Sequence, residues 1–494
     1  FFGYAREAVI ASYFGTSATL DLFILAFTIP ELITFISYAA LPTALIPSLR
    51  RANVSNRDQE SVFFWSGLIN MSLLFGGLAL LVYLFRGSIL NLLAPTLEHE
   101  AVTQGRHLMA ILAGLIFFRG MESYFRSWLF EKKHFVVPAT STIVLNIVIL
   151  TTLLGFHGRL EIEALAYGWL MAAIVLFAYN GFFAFLFVKP KIRGRAAPAP
   201  ISILMKATIS IAIVESIALI YPVVDRYLAA RFLGEGQIAA LRYATFLIHI
   251  PTGMFIVAFS QASFPWVSDL SVPDQIERLR KLYTESMRLI FFVMGLVAVG
   301  VIIYTNEVVT VAFQRGAFDA TSQILTSGPL MYFALGIVFY SIYFFQMKFY
   351  YARGAVGRLV RILIGMLAIK IILSLLLVKP MEQNGLALAT AFTWFCGAIF
   401  MTADLSRTIK VSLRELVFPS LPKVLFCLLV TALFWIGLGK VWIGPPSESL
   451  LQLLLRLAGI GVSGIVVYLA MAWILKLPEL KQTLDRVLRK FSGA

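Results

Sequence analysis

Long apolar runs separated by short polar turns dominate the chain, and the length of those runs decides its class. A helix needs about 20 apolar residues to cross the hydrocarbon core of a bilayer. Runs of that order lie near residues 1–14, 20–49, 61–85, 103–130, 134–155, 163–188, 201–232, 236–266, 283–304, 321–351, 357–378, 384–405, 419–442 and 450–475. Helices satisfy their own backbone groups in lipid, where an open strand cannot. The pattern therefore predicts an all-α polytopic membrane protein of about fourteen transmembrane helices. Several runs exceed the minimum, which predicts tilt or extension into water. The first run is short and starts at Phe1, so part of the first helix is expected to precede this sequence, and no cleavable signal pattern is visible.

The turns alternate in charge. One set, holding residues such as Arg50, Lys132, Lys191, Arg280, Arg353, Arg358, Arg361 and Arg407 together with the C-terminal tail, carries 23 basic residues, and the intervening set carries 5. Basic loops stay on the cytoplasmic side. The chain is thus expected to be a multi-pass protein of a bacterial inner membrane, with both termini in the cytoplasm.

Composition agrees. The 494 residues are 60% hydrophobic and 14% charged, against about 45–50% and about 25% in soluble domains. The net charge of +15 would invite a search for nucleic acid in a soluble protein. Here it resides in the loops, and no nucleic-acid partner is expected. Cys396 and Cys427 fall inside apolar runs without metal spacing, and the five histidines are scattered singly. With no nucleophile–base pair, phosphate loop or metal cluster in the pattern, neither an enzyme nor a resident metal is expected.

An internal repeat sets the architecture. The stretch from Arg6, REAVIASYFGTSATLDLFILAFTIP, resembles the stretch from Asp225, DRYLAARFLGEGQIAALRYATFLIHIP. Both pass through a turn glycine, Gly15 or Gly234, to a proline, Pro30 or Pro251, and each has another proline further on, Pro47 or Pro265. The offset of 217 to 221 residues equals six spans, an even number, so the repeat is parallel. The expected organisation is a six-helix lobe over 1–188, a basic cytoplasmic linker over 189–200, a second six-helix lobe over 201–409, and two further helices with a basic tail over 410–494. Parallel lobes of this kind point to a transporter that rocks between inward- and outward-open states. A channel would show a filter motif and an electron-transfer subunit would show haem histidines, and neither is present.

Ionisable residues within spans are costly and mark function by default. Arg119, Glu122 and Arg126 share one face of the fourth span. They read either as a cation cluster facing a wet cavity or as an Arg–Glu–Arg staple to a neighbouring helix. Arg6 and Glu7 lie in the first span, Asp21 and Glu31 in the second, Asp225 and Arg226 in the seventh, Arg242 in the eighth, Lys348 in the tenth, Lys370 in the eleventh and Asp404 in the twelfth. Arg6, Arg119, Arg126, Arg242 and Lys348 are the expected substrate-binding cations. Glu7, Asp21, Glu122, Asp225 and Arg226 are the expected charge partners or coupling groups. A convergence of guanidiniums suits an anionic substrate, because their planar fork matches phosphate or pyrophosphate.

The opening GYAREAVIASYFGTSATLDLFILAFTIPELI resembles the start of the MurJ (MviN) proteins, the lipid II flippases. So, in order, do KKHFVVPATSTIVLNIVI at 132–149, FPWVSDLS at 264–271, FQRGAFDA at 313–320 and FYYARGAVGRLVRI at 349–362. The resemblance places the chain in the MOP exporter superfamily. It implies a V-shaped pair of lobes, a cationic cavity, and a groove by the last two helices for a polyprenyl tail. It also implies that Arg6 matches the family's first-helix arginine and Asp21 the acidic residue opening its second helix. Two places depart. Where the family carries arginines in its second helix the chain has Ile33, Thr34 and Phe35, and where it carries an Asp-Arg pair in its eighth the chain has Thr245 and Phe246. Arg119 and Arg242 are the candidate replacements.

The resemblance thus implies a flippase for a polyprenyl-(pyro)phosphate-linked glycan, either lipid II or a related lipid-linked saccharide. It would be driven by membrane potential or by a Na+ or H+ gradient, without a cofactor, and envelope-glycan synthesis proteins are its expected partners. The rivals are a MATE-like cation or drug antiporter, whose cavity should be acidic or apolar, and a non-transporting scaffold of a glycan synthase.

Overall fold

A computed structural model describes residues 2–51, 57–191, 202–409, 411, 420–442 and 450–480. The linker over 192–200 and the basic tail from 481 lie outside the described residues. The helices are α1 Phe2–Phe14, α2 Ala18–Arg51, α3 Arg57–Leu93, α4 His99–Glu131, α5 Val136–Leu160, α6 Ile162–Val188 and α7 Ser202–Phe232. They continue as α8 Gln237–Pro251, α9 Ala258–Asp269, α10 Ile276–Ile303, α11 Thr305–Phe313, α12 Ala320–Ala352, α13 Val356–Ile409, α14 Leu421–Trp442 and α15 Leu450–Ile474.

Among the described residues, eleven helical segments are long and apolar enough to cross a membrane. One of them, α13, is broken at Glu382, where φ is 52° and ψ is −135°, so it makes two passes, and α1 and α7 complete the fourteen expected runs. Another is α8 and α9 together, joined by a π-helical stretch over Thr252–Val257. Pro251 has no N–H to donate to the preceding turn, and the chain widens directly after it, as π segments do around a disrupted ladder.

Compactness divides the chain after Ala239 into a first unit, Phe1–Ala239, and a second, Ala240–Ala494. The helix α7, read from the sequence as the start of the second lobe, packs on α2 and so shares the first unit. Large aromatics fill the interior of this unit. Tyr124, Trp128, Phe63 and Phe64 are fully buried, and the Tyr124 hydroxyl donates to the Phe64 carbonyl at 2.7 Å, joining α4 to α3.

In the second unit α12 packs along α13 and α10. A buried polar knot joins these helices, with the Gln346 amide donating to the Tyr283 hydroxyl and the Thr402 hydroxyl, both at 2.7 Å. The final pair docks on α10, where Tyr468 of α15 donates to the Phe292 carbonyl at 3.0 Å, and the pair is held together by the Trp435 indole on α14 donating to the Ile460 carbonyl on α15 at 2.9 Å. Leu425, Leu429, Leu433, Leu451, Val462 and Trp473 of the same pair are exposed, as residues facing lipid should be.

Both turns of the repeat lie in the first unit. The left-handed residue is Gly15 in the α1–α2 turn and Gly236, not Gly234, in the α7–α8 turn. Gly236 has φ +80°, and a Cβ there would collide with the Thr16 carbonyl. A Cβ on Gly234 would meet only Gln237 Nε2, at 3.8 Å. Gly236→Ala should therefore cost about 1–3 kcal/mol from backbone strain alone, while Gly234→Ala should be nearly neutral. The thermal midpoints of the two variants in detergent test this, and equal midpoints would refute the assignment.

Candidate functional site

The charged residues singled out from the sequence resolve into local clusters. In the first unit Arg6, on α1, donates from Nη2 to Glu7 Oε1 at 2.8 Å and from Nε at 3.2 Å. Its guanidinium lies 5.0 Å from the ring centroid of Trp169, on α6. A cation over an indole face is worth about 0.5–2 kcal/mol, more as water is excluded. Arg6 is thereby held against an aromatic wall at a fixed height in its helix.

On α4 Arg119 pairs with Glu122 at 3.0 Å, and Glu122 is wholly buried. The Asn180 amide on α6 donates to the other Glu122 oxygen at 3.3 Å and to Ser141 Oγ on α5 at 3.0 Å. The pair is thus one end of a polar chain through α4, α6 and α5, as buried charge requires. Arg126 does not complete an Arg–Glu–Arg staple. It lies 3.5 Å from the centroid of Tyr38 on α2 and 5.0 Å from that of Phe130. Arg119 reaches the same Tyr38 ring at 5.5 Å. Two guanidiniums one helical stretch apart therefore share one aromatic ring. Nε and Nη1 of Arg126 are buried without a hydrogen bond among the described residues, so this guanidinium keeps N–H groups for an acceptor.

Asp21 holds backbone rather than cations. Its two carboxylate oxygens accept from the Gly236 and Ala239 amides, each at 2.7 Å. These are orphan donors at the start of α8, so Asp21 caps that helix from across the unit. Arg226 on α7 donates to Glu31 at 2.8 Å and to Thr28 at 3.1 Å on α2. Asp225 precedes it and is half-buried.

In the second unit Arg242 sits half-buried on α8. Lys348 on α12 places Nζ 5.1 Å from the centroid of Phe344 and 5.9 Å from that of Tyr351. Lys370, wholly buried, donates to the Leu386 carbonyl at 3.0 Å and to Thr390 Oγ1 at 2.6 Å, which pins the two passes of α13 together. Among the described residues no group of three or more His, Cys, Asp or Glu could hold a metal ion.

Among the residues of these clusters that the sequence reading does not single out are Trp169, Tyr38 and Asn180. A lone asparagine inside the apolar run 163–188 was a visible signal for Asn180. Aromatic residues are common in every run, so nothing marked Trp169 or Tyr38 beforehand.

Comparison with known proteins gives a consistent result. The family described as Lipid II flippase MurJ matches residues 10–455. A probable lipid II flippase MurJ of Thermotoga maritima is 21% identical over 486 residues, spanning 98% of this chain and 95% of that protein. One of Borreliella burgdorferi is 22% identical over 434 residues, spanning 86% and 84%. Among solved structures, a lipid II flippase MurJ in an inward closed conformation superposes with a TM-score of 0.80 at 21% identity, covering 96% of both chains. An inward-facing MATE family transporter of the MOP superfamily gives 0.69 at 13% identity, covering 83% of this chain and 95% of that one.

Proposed function

This chain belongs to the lipid II flippase MurJ family, and we propose on that premise that it moves lipid II, or a closely related glycan on polyprenyl (pyro)phosphate, from the cytoplasmic to the periplasmic leaflet of the bacterial inner membrane. The observation that carries the reading is the family match along nearly the whole chain. The guanidiniums of Arg6, Arg119 and Arg126 support it, since half-buried cations inside membrane helices suit a pyrophosphate and oppose a cationic cargo. In this reading those three residues, with Arg242 and Lys348 of the second unit, bind the anionic head. The exposed apolar faces of α14 and α15 hold the polyprenyl tail.

Access alternates between the leaflets, and the energy comes from the membrane potential or from a Na+ or H+ gradient. The protein leaves the covalent bonds of its cargo intact and acts as a carrier rather than an enzyme. Both termini face the cytoplasm, and the synthetic machinery of the envelope glycan supplies and removes the cargo. Asp21 and Arg226 serve the carrier as struts, one capping α8 and the other tying α7 to α2.

The test is complementation. Full-length protein expressed in a bacterium depleted of its own MurJ should restore growth and the exposure of lipid II on the outer leaflet. If the protein reaches the membrane and lipid II stays inside, the lipid II reading fails. The changed positions Ile33, Thr34, Phe35, Thr245 and Phe246 then mark a different lipid-linked glycan. Efflux of cationic dyes by the same cells would instead favour the MATE-like reading.

A further inference from the structure

The turn between α12 and α13 carries a feature that transport of a lipid-linked glycan does not use. A cavity of about 120 Å³ in the second unit is lined by Tyr350, Arg353, Arg358, Asp404 and Thr408, with apolar side chains completing the wall. Arg353 is the C-cap of α12, and Gly354, at φ +63°, turns the chain into α13. Arg358 on the first turn of α13 stands 3.4 Å from Thr408 Oγ1 and 4.0 Å from Asp404 Oδ1. The other Asp404 oxygen accepts from the Tyr350 hydroxyl at 2.9 Å.

The charges in this wall do not cancel. Asp404 is offset by Arg358 and by the tyrosine hydroxyl, which leaves the charge of Arg353 in excess. Nη1 of Arg353 is buried and takes no hydrogen bond among the described residues. A buried guanidinium N–H without an acceptor is costly, and the group that best fits a guanidinium fork in a small polar cavity is a tetrahedral oxyanion. Arg361 and Arg407, near the two ends of α13, belong to the same basic set that the charge pattern assigns to the cytoplasmic side, where anionic lipid headgroups concentrate.

We propose that this pocket binds a phosphate group, with Arg353 as its principal ligand and Arg358 and Thr408 beside it. The group comes either from the headgroup of an anionic lipid of the surrounding leaflet or from free phosphate. The inference does not depend on the flippase reading, because it uses none of the residues assigned to the cargo.

Full-length protein purified in an uncharged detergent is titrated separately with dioctanoyl phosphatidylglycerol and with inorganic phosphate, and binding is read by native mass spectrometry and by thermal shift. Saturable binding is expected. Arg353→Gln should weaken it about tenfold or more, as loss of a charge-assisted contact does. Arg86→Gln, at a half-buried arginine on α3 in the first unit, should leave it unchanged. Asp404→Asn removes the pocket's carboxylate and should tighten binding several-fold, a gain that a misfolded variant cannot mimic. Binding of the lipid alone identifies a headgroup site, binding of phosphate alone a free-anion site, and binding of both a site that reads the phosphate whatever carries it. If neither probe binds in an Arg353-dependent way, or if Asp404→Asn fails to tighten binding, the proposal is overturned.

Discussion

Arg119→Ala should cost about 3–5 kcal/mol of stability, the range seen when one partner of a buried ion pair is removed. It should appear as a low yield of folded protein and a depressed thermal midpoint in detergent. The cause lies in Glu122. Its side chain is wholly buried, one oxygen meets Arg119 at 3.0 Å, and the other meets only a neutral amide, Asn180, at 3.3 Å. Without the guanidinium a carboxylate is stranded in a low-dielectric interior. The double variant Arg119→Ala/Glu122→Gln removes the stranded charge and keeps an oxygen for the Asn180 amide, so it should recover most of the loss. If the double variant is as unstable as the single one, the damage comes from lost packing and the charge argument is wrong. Transport by Arg119→Ala alone cannot be interpreted, because the folded population falls with it, and the double variant is the one in which to measure the flipping rate.

Substitution at Arg6 should weigh on transport more than on the fold. Arg6 pairs with its sequence neighbour Glu7, which is buried, and lies over Trp169 on α6; a glutamine in its place keeps an amide donor for the Glu7 carboxylate, so the cost to the fold should be smaller than at Arg119. Arg6→Gln should lower lipid II exposure in complemented cells by at least about tenfold, on the scale of one lost charge-assisted phosphate contact, with a smaller loss of thermal midpoint than Arg119→Ala. Arg6→Lys discriminates further. It keeps the charge and loses the planar fork, so it should fail to rescue if the cargo's phosphate is gripped in two places. Full rescue by lysine would show that only the positive field at this position matters. Normal transport by Arg6→Gln at normal expression would remove Arg6 from the cargo site.

Much of the fold was legible before any coordinates. The helix positions follow from hydropathy because each apolar run meets lipid or apolar neighbours on nearly every side, and a helix is the solution that closes its own hydrogen bonds there. The break at Glu382 fell between two runs already separated at 378–384. The π-helical stretch after Pro251 was signalled by the proline, though not its form.

The candidate site was legible only as a list. Its members stood out because ionisable residues inside apolar runs are rare, and Arg6, Arg119 and Arg126 do sit in half-buried settings. Their partners did not follow from spacing. The shared helical face of Arg119, Glu122 and Arg126 implied a triad. The chain instead gave Glu122 to Arg119 and Asn180, and turned Arg126 onto Tyr38, because an aromatic face from α2 lay within reach.

By itself, then, the sequence determined the all-helical membrane class, the places of the long apolar helices, and the family, all of which rest on local composition and ordered motifs. The tertiary structure alone decided which charge meets which group. The sequence marks Asp21 only as a charge partner or coupling group; the packing brings its carboxylate to the Gly236 and Ala239 amides, at the start of a helix more than 200 residues later. Such pairings depend on which helix packs beside which and at what height. A linear pattern of apolar and polar positions carries neither quantity, since every lipid-facing and every helix-facing side satisfies the same hydropathy.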